Sequence, residues 1–546
     1  MKQRGFVLIV LVGVVSFVSG GWLLQRGASQ GGSVYQRARM FDEVLSRVAD
    51  YYVDSLDEKT LYDMAIDGML EKINDPYTTF LREKEYRDLT FSTTGNYAGL
   101  GIQIGVRDGW ITVIAPLPET PAERAGIQSG DRIVQVDGQS TFDWKEEQAV
   151  RTLRGEAGSQ IKISVMRPGV DDTLAFNITR ARIHVRSIEV ATLVSPAIGY
   201  VQLRTVGETS PDEMAAAIND LRKQGAKSLI LDLRENPGGL LEQGVKLTDF
   251  FLDPGQVVVE TRGRSNGSTK SYDADHAQSW PDMPVAVLVN GGTASAAEII
   301  SGALQDHDRA LIVGTMTFGK GLVQTLFQLS NNEALKITTA RWYTPSGRLI
   351  QRPGKDVTGD TLVMLTSADS ARVKAVKADM QKTFRTDGGR LLPGNGGIHP
   401  DVVVGTDTAT DVEREFAKAL GSKIPDYRNV LTAYAIEQKV AGTIKDPAFK
   451  VTPTQRAEVL RRLRERGLTL NDSLWNGVRK LVDQGMSYEI THYVFGKQLE
   501  FQRRAADDLQ VQAAISLLKR ARTPKELIAL GSIPAQQAEP TSSSRR

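Results

Sequence analysis

The sequence predicts a multidomain α+β protein with an N-terminal helical segment, a compact strand-rich domain, an α/β core and a C-terminal helical region. Two observations support this. At 546 residues the chain is too long for one hydrophobic core. Its apolar residues also change period, recurring every three or four positions before residue 83 and after residue 411, and forming short strand-like runs in between.

The N-terminus predicts export. Lys2 and Arg4 precede an uncharged apolar run over residues 6–24, which is near the length that crosses a bilayer as a helix. A basic start stays cytoplasmic, so the rest of the chain is expected outside it. Residues 1–30 therefore read as a membrane anchor or, if cleaved, a signal peptide, and we expect a protein of the cell envelope, acting in the periplasm or an equivalent extracytoplasmic space.

Composition excludes several function classes. With 67 basic and 65 acidic residues, the net charge of +2 gives no global field for nucleic acid. The chain has no cysteine, which excludes a thiol nucleophile, thiolate metal sites and disulfides. The five histidines show no metal-ligand spacing. We expect neither a metal nor a cofactor.

After a helical region at 31–90, residues 91–184 read as one compact domain of short strands. In "YAGLGIQIG" (97–105), two glycines precede a strand, so backbone amides can converge on an anion while the strand edge takes up a peptide. A tight turn alone would also explain these glycines. Together with "PAERAGIQSGDRIVQVDGQS" and "LRGEAGSQIKISVMRPG", however, the segment strongly resembles a PDZ domain. The resemblance implies that the amides of Leu100, Gly101 and Ile102 receive a peptide C-terminus.

Residues 185–405 read as an α/β core. The runs "LILDLR", "PVAVLVN" and "RALIVGT" are near-continuous apolar strands separated by helical patterns, which indicates strands buried on both faces. A polar stretch at about 355–396 resembles an inserted surface segment. Residues 406–530 predict amphipathic, arginine-rich helices that could form a homodimer, pack on the core or receive an adaptor. Residues 531–546 are too polar to order themselves.

Ser295 lies at a corner between a buried strand, which ends at Asn290, and a helix. Unpaired amides and the helix dipole favour negative charge at such a helix start, and the amide of Ala296 could stabilise an oxyanion there. The competing interpretation is structural: Ser295 and Glu298 fit S-x-x-E, a capping box without catalytic meaning.

The segment "TFGKGLVQT" (317–325) supplies a base for such a serine. Lys320 lies between two glycines where buried strands end, and an apolar setting can lower the pKa of a lysine enough for it to accept a proton. Taken jointly, "NGGTASAAEIISGALQDHDRALIVGTMTFGKGLVQT" resembles the carboxyl-terminal processing, or tail-specific, proteases. The resemblance implies a crotonase/ClpP-like protease core with Ser295 as nucleophile, Lys320 as general base and Gln324 orienting the lysine amine.

The resemblance extends over residues 36–405 and includes "LILDLRENPGGLL" (229–241). It implies that the amide of Gly238, with Gly239 as the neighbouring candidate, completes an oxyanion hole with Ala296. Alternatively, the glycine pair simply forms a turn after a strand.

The sequence therefore predicts an exported serine endopeptidase that binds protein or peptide substrates through their C-termini and cleaves near those termini. Three alternatives remain: a catalytically inactive PDZ-type scaffold, a crotonase-like acyl enzyme, and a Ser-His-Asp hydrolase using His307. The last is disfavoured because "LQDHDRA" reads as the end of a helix, where histidine is commonly a cap.

Overall fold

The computed structural model describes residues 34–330, 332–352, 382–394, 396–405 and 409–531. The apolar run at 6–24, most of the stretch predicted as an insertion and the polar tail lie outside these ranges. Among the described ranges, no helix has the length and apolar character needed to cross a membrane. The described residues divide into two compact units, one formed by those up to residue 83 with those of 324–338, and the other by the remaining described residues.

The first unit contains two helices and a short strand before residue 84, together with the parts of two later strands that fall within residues 324–338. Asp57 caps the second helix by accepting a hydrogen bond from the Thr60 amide (2.9 Å), and Asn74 ends it with a left-handed φ of 56°. The strand pairs antiparallel with residues 334–336. The elements are a helix over residues 34–51, the helix Glu58–Ile73 and the strand Thr79–Leu81.

The strand-rich domain follows the helix Glu83–Thr94 and is a six-stranded antiparallel sheet. In the strand Gln160–Met166, buried and more exposed residues alternate, which is the pattern of a sheet with one face on the core and one in water. The strands are Ile102–Arg107, Trp110–Pro116, Arg132–Val136, Gln139–Ser140, Gln160–Met166 and Leu174–Thr179, the helices Pro121–Arg124 and Glu146–Leu153, and a flanking pair Asn96–Gly99 and Ala181–His184.

The α/β core is a second six-stranded sheet whose central strands are parallel and buried on both faces, as predicted. Helices cover both faces, which explains why these strands are continuously apolar. In spatial order the strands are Ile188–Ser195, Ile198–Leu203, Ser228–Asp232, Val285–Val289, Leu311–Gly314 and Val402–Val403. One face carries Ser210–Lys223, Leu241–Asp249 and Ala296–Asp306, and the other Leu509–Arg520 and Pro524–Gly531.

The described residues form further strands outside these two six-stranded sheets. The long strand Ala334–Tyr343 pairs through residues 340–343 with residues 260–263. The remaining strands are Val257–Gly263, Lys270–Asp273, Leu322–Gln328 and the hairpin Thr383–Arg385 with Leu391–Pro393.

The C-terminal helices form a separate apolar cluster around residues such as Phe416, Trp475 and Ile490. Their arginines are largely ion-paired, for example Arg462 with Glu437 (2.7 Å), so the arginine-rich faces are locally neutralised. The fold class predicted from the sequence is thus confirmed. The helices are Asp411–Leu420, Gly421–Lys423 (3₁₀), Ile424–Ala441, Pro453–Glu465, Asp472–Gly477 and Arg479–Phe495. The next helix, Lys497–Asp507, packs with Phe501 and Ala505 in the core cluster instead.

Candidate active site

Three loops leave the carboxyl ends of adjacent parallel strands in the core. We call them the glycine loop (residues 233–240), the serine corner (residues 290–298) and the lysine loop (residues 315–321). Their strands are neighbours in the sheet, and loops at the carboxyl ends of parallel strands meet at one edge. The fold therefore brings the segments that carry Gly238, Ser295 and Lys320 to the same edge.

The serine corner has an unusual backbone. Ser295 has φ 55° and ψ −121°, whereas a helix-capping residue normally has an extended backbone. A serine on such a sharp strand-to-helix turn holds its hydroxyl at the sheet edge, and Ser295 is partly exposed. The next residue, Ala296, begins the helix, so its amide has no acceptor within that helix.

Glu298 connects the serine corner to the lysine loop. Its carboxylate is fully buried, and one oxygen, Oε2, accepts hydrogen bonds from the amides of Ser295 (2.8 Å) and Lys320 (2.9 Å). The other oxygen, Oε1, accepts from the Gly319 amide (2.7 Å) and the Thr317 hydroxyl (2.5 Å). A single side chain thus fixes the backbone of both predicted catalytic residues.

The electrostatics of Glu298 follow from these contacts. Burial raises the pKa of its carboxyl group, and the hydrogen bonds donated by Thr317, Lys320, Gly319 and Ser295 oppose that rise. The contact with the Ser295 amide is the carboxylate half of the predicted capping box. The three contacts with the lysine loop go beyond capping, and the sequence pattern gave no sign of them.

The lysine loop is fixed on its other sides as well. The Phe318 amide donates to the carbonyl of Thr293 in the serine corner (2.9 Å), and the buried indole of Trp342 donates to the carbonyl of Lys320 (3.1 Å). Gly319 has a left-handed φ of 86°, which a glycine adopts without strain. The backbone of Lys320 is therefore held from both sides.

The glycine loop touches the serine corner directly. Gly238 has φ 92°, and a Cβ at this position would lie 2.7 Å from the Ala294 carbonyl oxygen and 2.8 Å from the Ala296 nitrogen and the Ser295 Cβ. Only glycine allows this approach. The Ala294 amide also donates to the carbonyl of Asn236 (2.9 Å), which joins the two loops.

The amides of the glycine pair differ in their surroundings. The Gly238 amide donates to the side-chain oxygen of Asn236 (2.8 Å), an Asx turn within the loop. The Gly238 carbonyl and the Leu240 amide both bond Val206, at 2.9 and 2.8 Å. Backbone groups of successive residues point to opposite sides of an extended chain. The amide of Gly239, which lies between these two residues, therefore points away from Val206.

Gln324 lies on the strand Leu322–Gln328, four positions after Lys320 in the chain. Its side-chain amide nitrogen is buried and has no hydrogen-bond partner within the described residues. A buried amide nitrogen of this kind requires an acceptor.

His307 is not placed to act on Ser295. It follows the helix Ala296–Asp306 at the end opposite to Ser295, and 11 residues of helix span about 16 Å. Its ring nitrogens contact the Val257 carbonyl (2.8 Å) and the Asp387 carboxylate (2.7 Å). The histidine is thus a structural cap, as the sequence indicated.

Sequence relatives identify the family of this chain. The chain is 40% identical over 335 residues to the carboxy-terminal-processing protease of Bartonella bacilliformis, covering 61% of this chain and 76% of that protein. It is 32% identical over 429 residues to the carboxy-terminal processing protease CtpA of Bacillus subtilis, covering 77% and 85%. The chain belongs to the carboxy-terminal processing proteases. The protease is a serine-type peptidase that acts near protein C-termini.

Individual regions of the protease also match described families. Peptidase family S41 matches residues 197–363, a PDZ domain matches residues 112–167, and the N-terminal domain of the activating protease CtpB matches residues 24–85. Among solved structures, the photosystem II D1 C-terminal processing protease is 32% identical, covers 57% of this chain and 89% of its own, and has a TM-score of 0.33.

The PDZ domain of the protease presents an edge strand. Ile102–Arg107 is the terminal strand of its sheet and lies beside the helix Glu146–Leu153. Before it, Leu100 is buried and Gly101 has a left-handed φ of 78°. The carbonyls of Leu100 and Gly101 accept from the amides of Ala122 (3.0 Å) and Leu117 (2.8 Å), which fixes the turn.

An aromatic residue borders this turn. Burial raises the pKa of the Tyr97 phenol, while Arg154 and the Gly101 amide lower it. The Arg154 guanidinium lies 4.8 Å from the centre of the Tyr97 ring. The phenol of Tyr97 is therefore close to one of the amides predicted to bind a carboxylate.

Proposed function

We propose that Ser295 is the nucleophile of this protease and that Lys320 is its general base. The observation that carries the proposal is the Glu298 carboxylate, one oxygen of which binds the amides of both residues at 2.8 and 2.9 Å. Two residues that share an acceptor in this way hold a fixed spacing, and a nucleophile and its base need such a spacing.

In the proposed reaction, uncharged Lys320 takes the proton of the Ser295 hydroxyl as the serine oxygen attacks the scissile carbonyl. The peptide bond then breaks, protonated Lys320 gives its proton to the leaving amine, and Ser295 is left as an ester. Water, deprotonated by Lys320, then attacks that ester; the acyl–serine bond breaks, and protonated Lys320 returns the proton to the Ser295 oxygen. Gln324 orients the lysine amine.

The oxyanion of the tetrahedral intermediate is stabilised by the amide of Ala296 and by one amide of the glycine pair. Gly238 serves if the Asn236 side chain turns away from it. Otherwise the donor is Gly239, whose amide points away from Val206.

Substrates reach this site through the PDZ domain. The amides of Leu100, Gly101 and Ile102 bind the terminal carboxylate, and the residues before it add as a strand to Ile102–Arg107. The basic residues and apolar run at the N-terminus support export, with residues 6–24 acting as an anchor or signal in the cell envelope.

The test is cleavage of an unstructured protein with an apolar C-terminus by the full chain, followed by mass spectrometry. Ser295→Ala and Lys320→Ala should each lower the cleavage rate by at least about a thousandfold, because triad-like groups act as a unit. Ser301→Ala, on the same helix, and Lys223→Ala, on an exposed helix end, are the matched controls and should cleave normally. Cleavage by Ser295→Ala near the parent rate would refute the assignment. Tail binding by the parent without cleavage would favour the scaffold alternative.

A further inference from the structure

Arg234 in the glycine loop is hydrogen-bonded to side chains that lie outside the loop. Arg234 donates to the buried carboxylate of Asp232 (2.6 Å) and, with its other terminal nitrogen, to Asp508 Oδ2 (2.8 Å) and Gln510 Oε1 (2.9 Å). The side chain of Arg234 is 17% exposed, so these contacts are largely shielded from water. Asp508 lies 274 positions away in the chain.

Asp508 has two separate tasks, one for each carboxylate oxygen. Oδ1 caps the helix Leu509–Arg520 by accepting from the amides of Gln510 (2.9 Å) and Val511 (3.1 Å), whereas Oδ2 binds Arg234. The helix packs on the face of the core sheet opposite to the helix Ala296–Asp306. Asp508 therefore reaches the active-site edge from behind the sheet.

The two neighbours of Arg234 in the glycine loop are hydrogen-bonded to the serine corner. The Glu235 amide donates to the side chain of Asn290 (3.1 Å), and the carbonyl of Leu233 accepts from the Thr293 hydroxyl (2.8 Å). Arg234 lies between these two residues, and its side chain is bound to the helix behind the sheet. The start of the loop is thus held from both faces of the sheet.

From these contacts we propose that Asp508 is a positioning residue of the protease. By fixing Arg234, it sets where the glycine loop carries Gly238 and Gly239 against Ser295. This inference rests on the proposed function, in which one of these two glycines donates to the oxyanion. A small displacement of that donor costs reaction rate and leaves the binding of the substrate tail unchanged.

Two substitutions separate the tasks of Asp508. Asp508→Asn keeps an oxygen for the helix cap, since asparagine caps as well as aspartate, but replaces the Arg234 acceptor with an NH2 group. Asp508→Glu keeps the charge for Arg234 and weakens the cap. Asp507→Asn is the matched control, because Asp507 is exposed and accepts only from Tyr488 among the hydrogen bonds described.

For Asp508→Asn we expect kcat to fall by about tenfold to a hundredfold with KM within about twofold of the parent. A peptide aldehyde forms a tetrahedral adduct with Ser295, and the affinity for it should fall in parallel with kcat. Hydrogen exchange of backbone amides should become faster in residues 233–241 but not in residues 296–306. Asp508→Glu should recover most of kcat despite a lower melting temperature, and Asp507→Asn should match the parent.

The proposal is overturned if Asp508→Asn keeps kcat within about twofold of the parent, or if kcat follows the melting temperature across the variants. If Asp508→Asn does not fold, Asp508→Glu is compared with Asp508→Ala. Equally low kcat values in these two variants would also overturn the proposal. Failure of the parent to bind the aldehyde through Ser295 would instead refute the proposed function.

Discussion

In the proposed function, the protease presents backbone amides to a negatively charged oxygen at two places, and the two places are built differently. At the active-site edge, the loops leave strands that are buried along their whole length, such as Val285–Val289. In the PDZ domain, the turn at Gly101 precedes an edge strand, Ile102–Arg107, in which only Ile104 is buried. The active-site loops therefore lie in a close-packed environment, whereas the PDZ turn lies beside a strand edge that pairs with no other described strand.

The difference corresponds to the two tasks. An oxyanion donor must already be in position when charge develops, which requires a rigid surrounding. A groove for peptide tails must instead accept a new strand, which requires a free edge. Changes at the active-site edge should therefore alter the rate of the chemical step, and changes at the PDZ turn should alter substrate binding.

Gly238→Ala should have the largest effect. The added Cβ would lie 2.7–2.8 Å from the backbone of the serine corner, and at φ 92° alanine is also strained. We expect cleavage to fall by about a thousandfold or more, because the loop must move away from Ser295. The measurement is kcat/KM on a peptide with an apolar C-terminus.

Gly255→Ala is the control for backbone strain alone. Gly255 has φ 84°, but no atom lies within 4 Å of the position of its Cβ. It should lose about 1 kcal/mol of stability and keep its activity. Equal loss of activity in both variants would mean that strain, and not the contact with the serine corner, explains the effect of Gly238→Ala.

Glu298→Gln should come next. Glutamine has an NH2 group in place of one of the two carboxylate oxygens. That NH2 group would face amide or hydroxyl donors and could not accept their hydrogen bonds, so the link between Ser295 and Lys320 weakens. We expect kcat to fall by about a hundredfold with KM nearly unchanged. A variant with unchanged kcat would show that the shared carboxylate does not set the spacing of the two residues.

The same variant tests the titration of Glu298. Because burial raises its pKa, the folded state holds the proton more tightly than the unfolded state, and this contribution to stability is lost as pH rises through the folded pKa. The melting temperature of the parent, relative to that of Glu298→Gln, should therefore decrease from about pH 4 upward. A relative increase would mean that the four hydrogen bonds outweigh burial.

Gly101→Ala in the PDZ turn should have the smallest effect, confined to binding. Its Cβ would lie 2.3 Å from the Thr120 Cβ, which displaces the turn that presents the amides. We expect KM to rise about tenfold with kcat unchanged, the loss of about one charge-assisted hydrogen bond. Gly138→Ala, at φ 81° with open space around it, is the matched control in the same domain. A fall in kcat would contradict the division of tasks.

The sequence alone predicted the features of this molecule that depend on residues close together in the chain. Apolar runs predicted the buried strands, and the resemblance carried by the segment from Asn290 to Thr325 identified the family. It was insufficient where distant segments meet. Glu298 read as a cap because S-x-x-E is a local pattern, and its contacts with the lysine loop lie 19 to 22 positions away. The bond from Arg234 to Asp508 spans two regions of the chain with no shared pattern.

The backbone of Ser295 also has a consequence for evolution. A non-glycine residue at φ 55° and ψ −121° costs on the order of 1–3 kcal/mol, and the fold tolerates it only because the surrounding contacts fix the corner. Glycine at this position would relieve the strain but would remove the hydroxyl. Under the proposed function, selection for stability and selection for cleavage therefore oppose each other at position 295, and a search for more heat-resistant variants would be drawn to the substitution that removes the nucleophile.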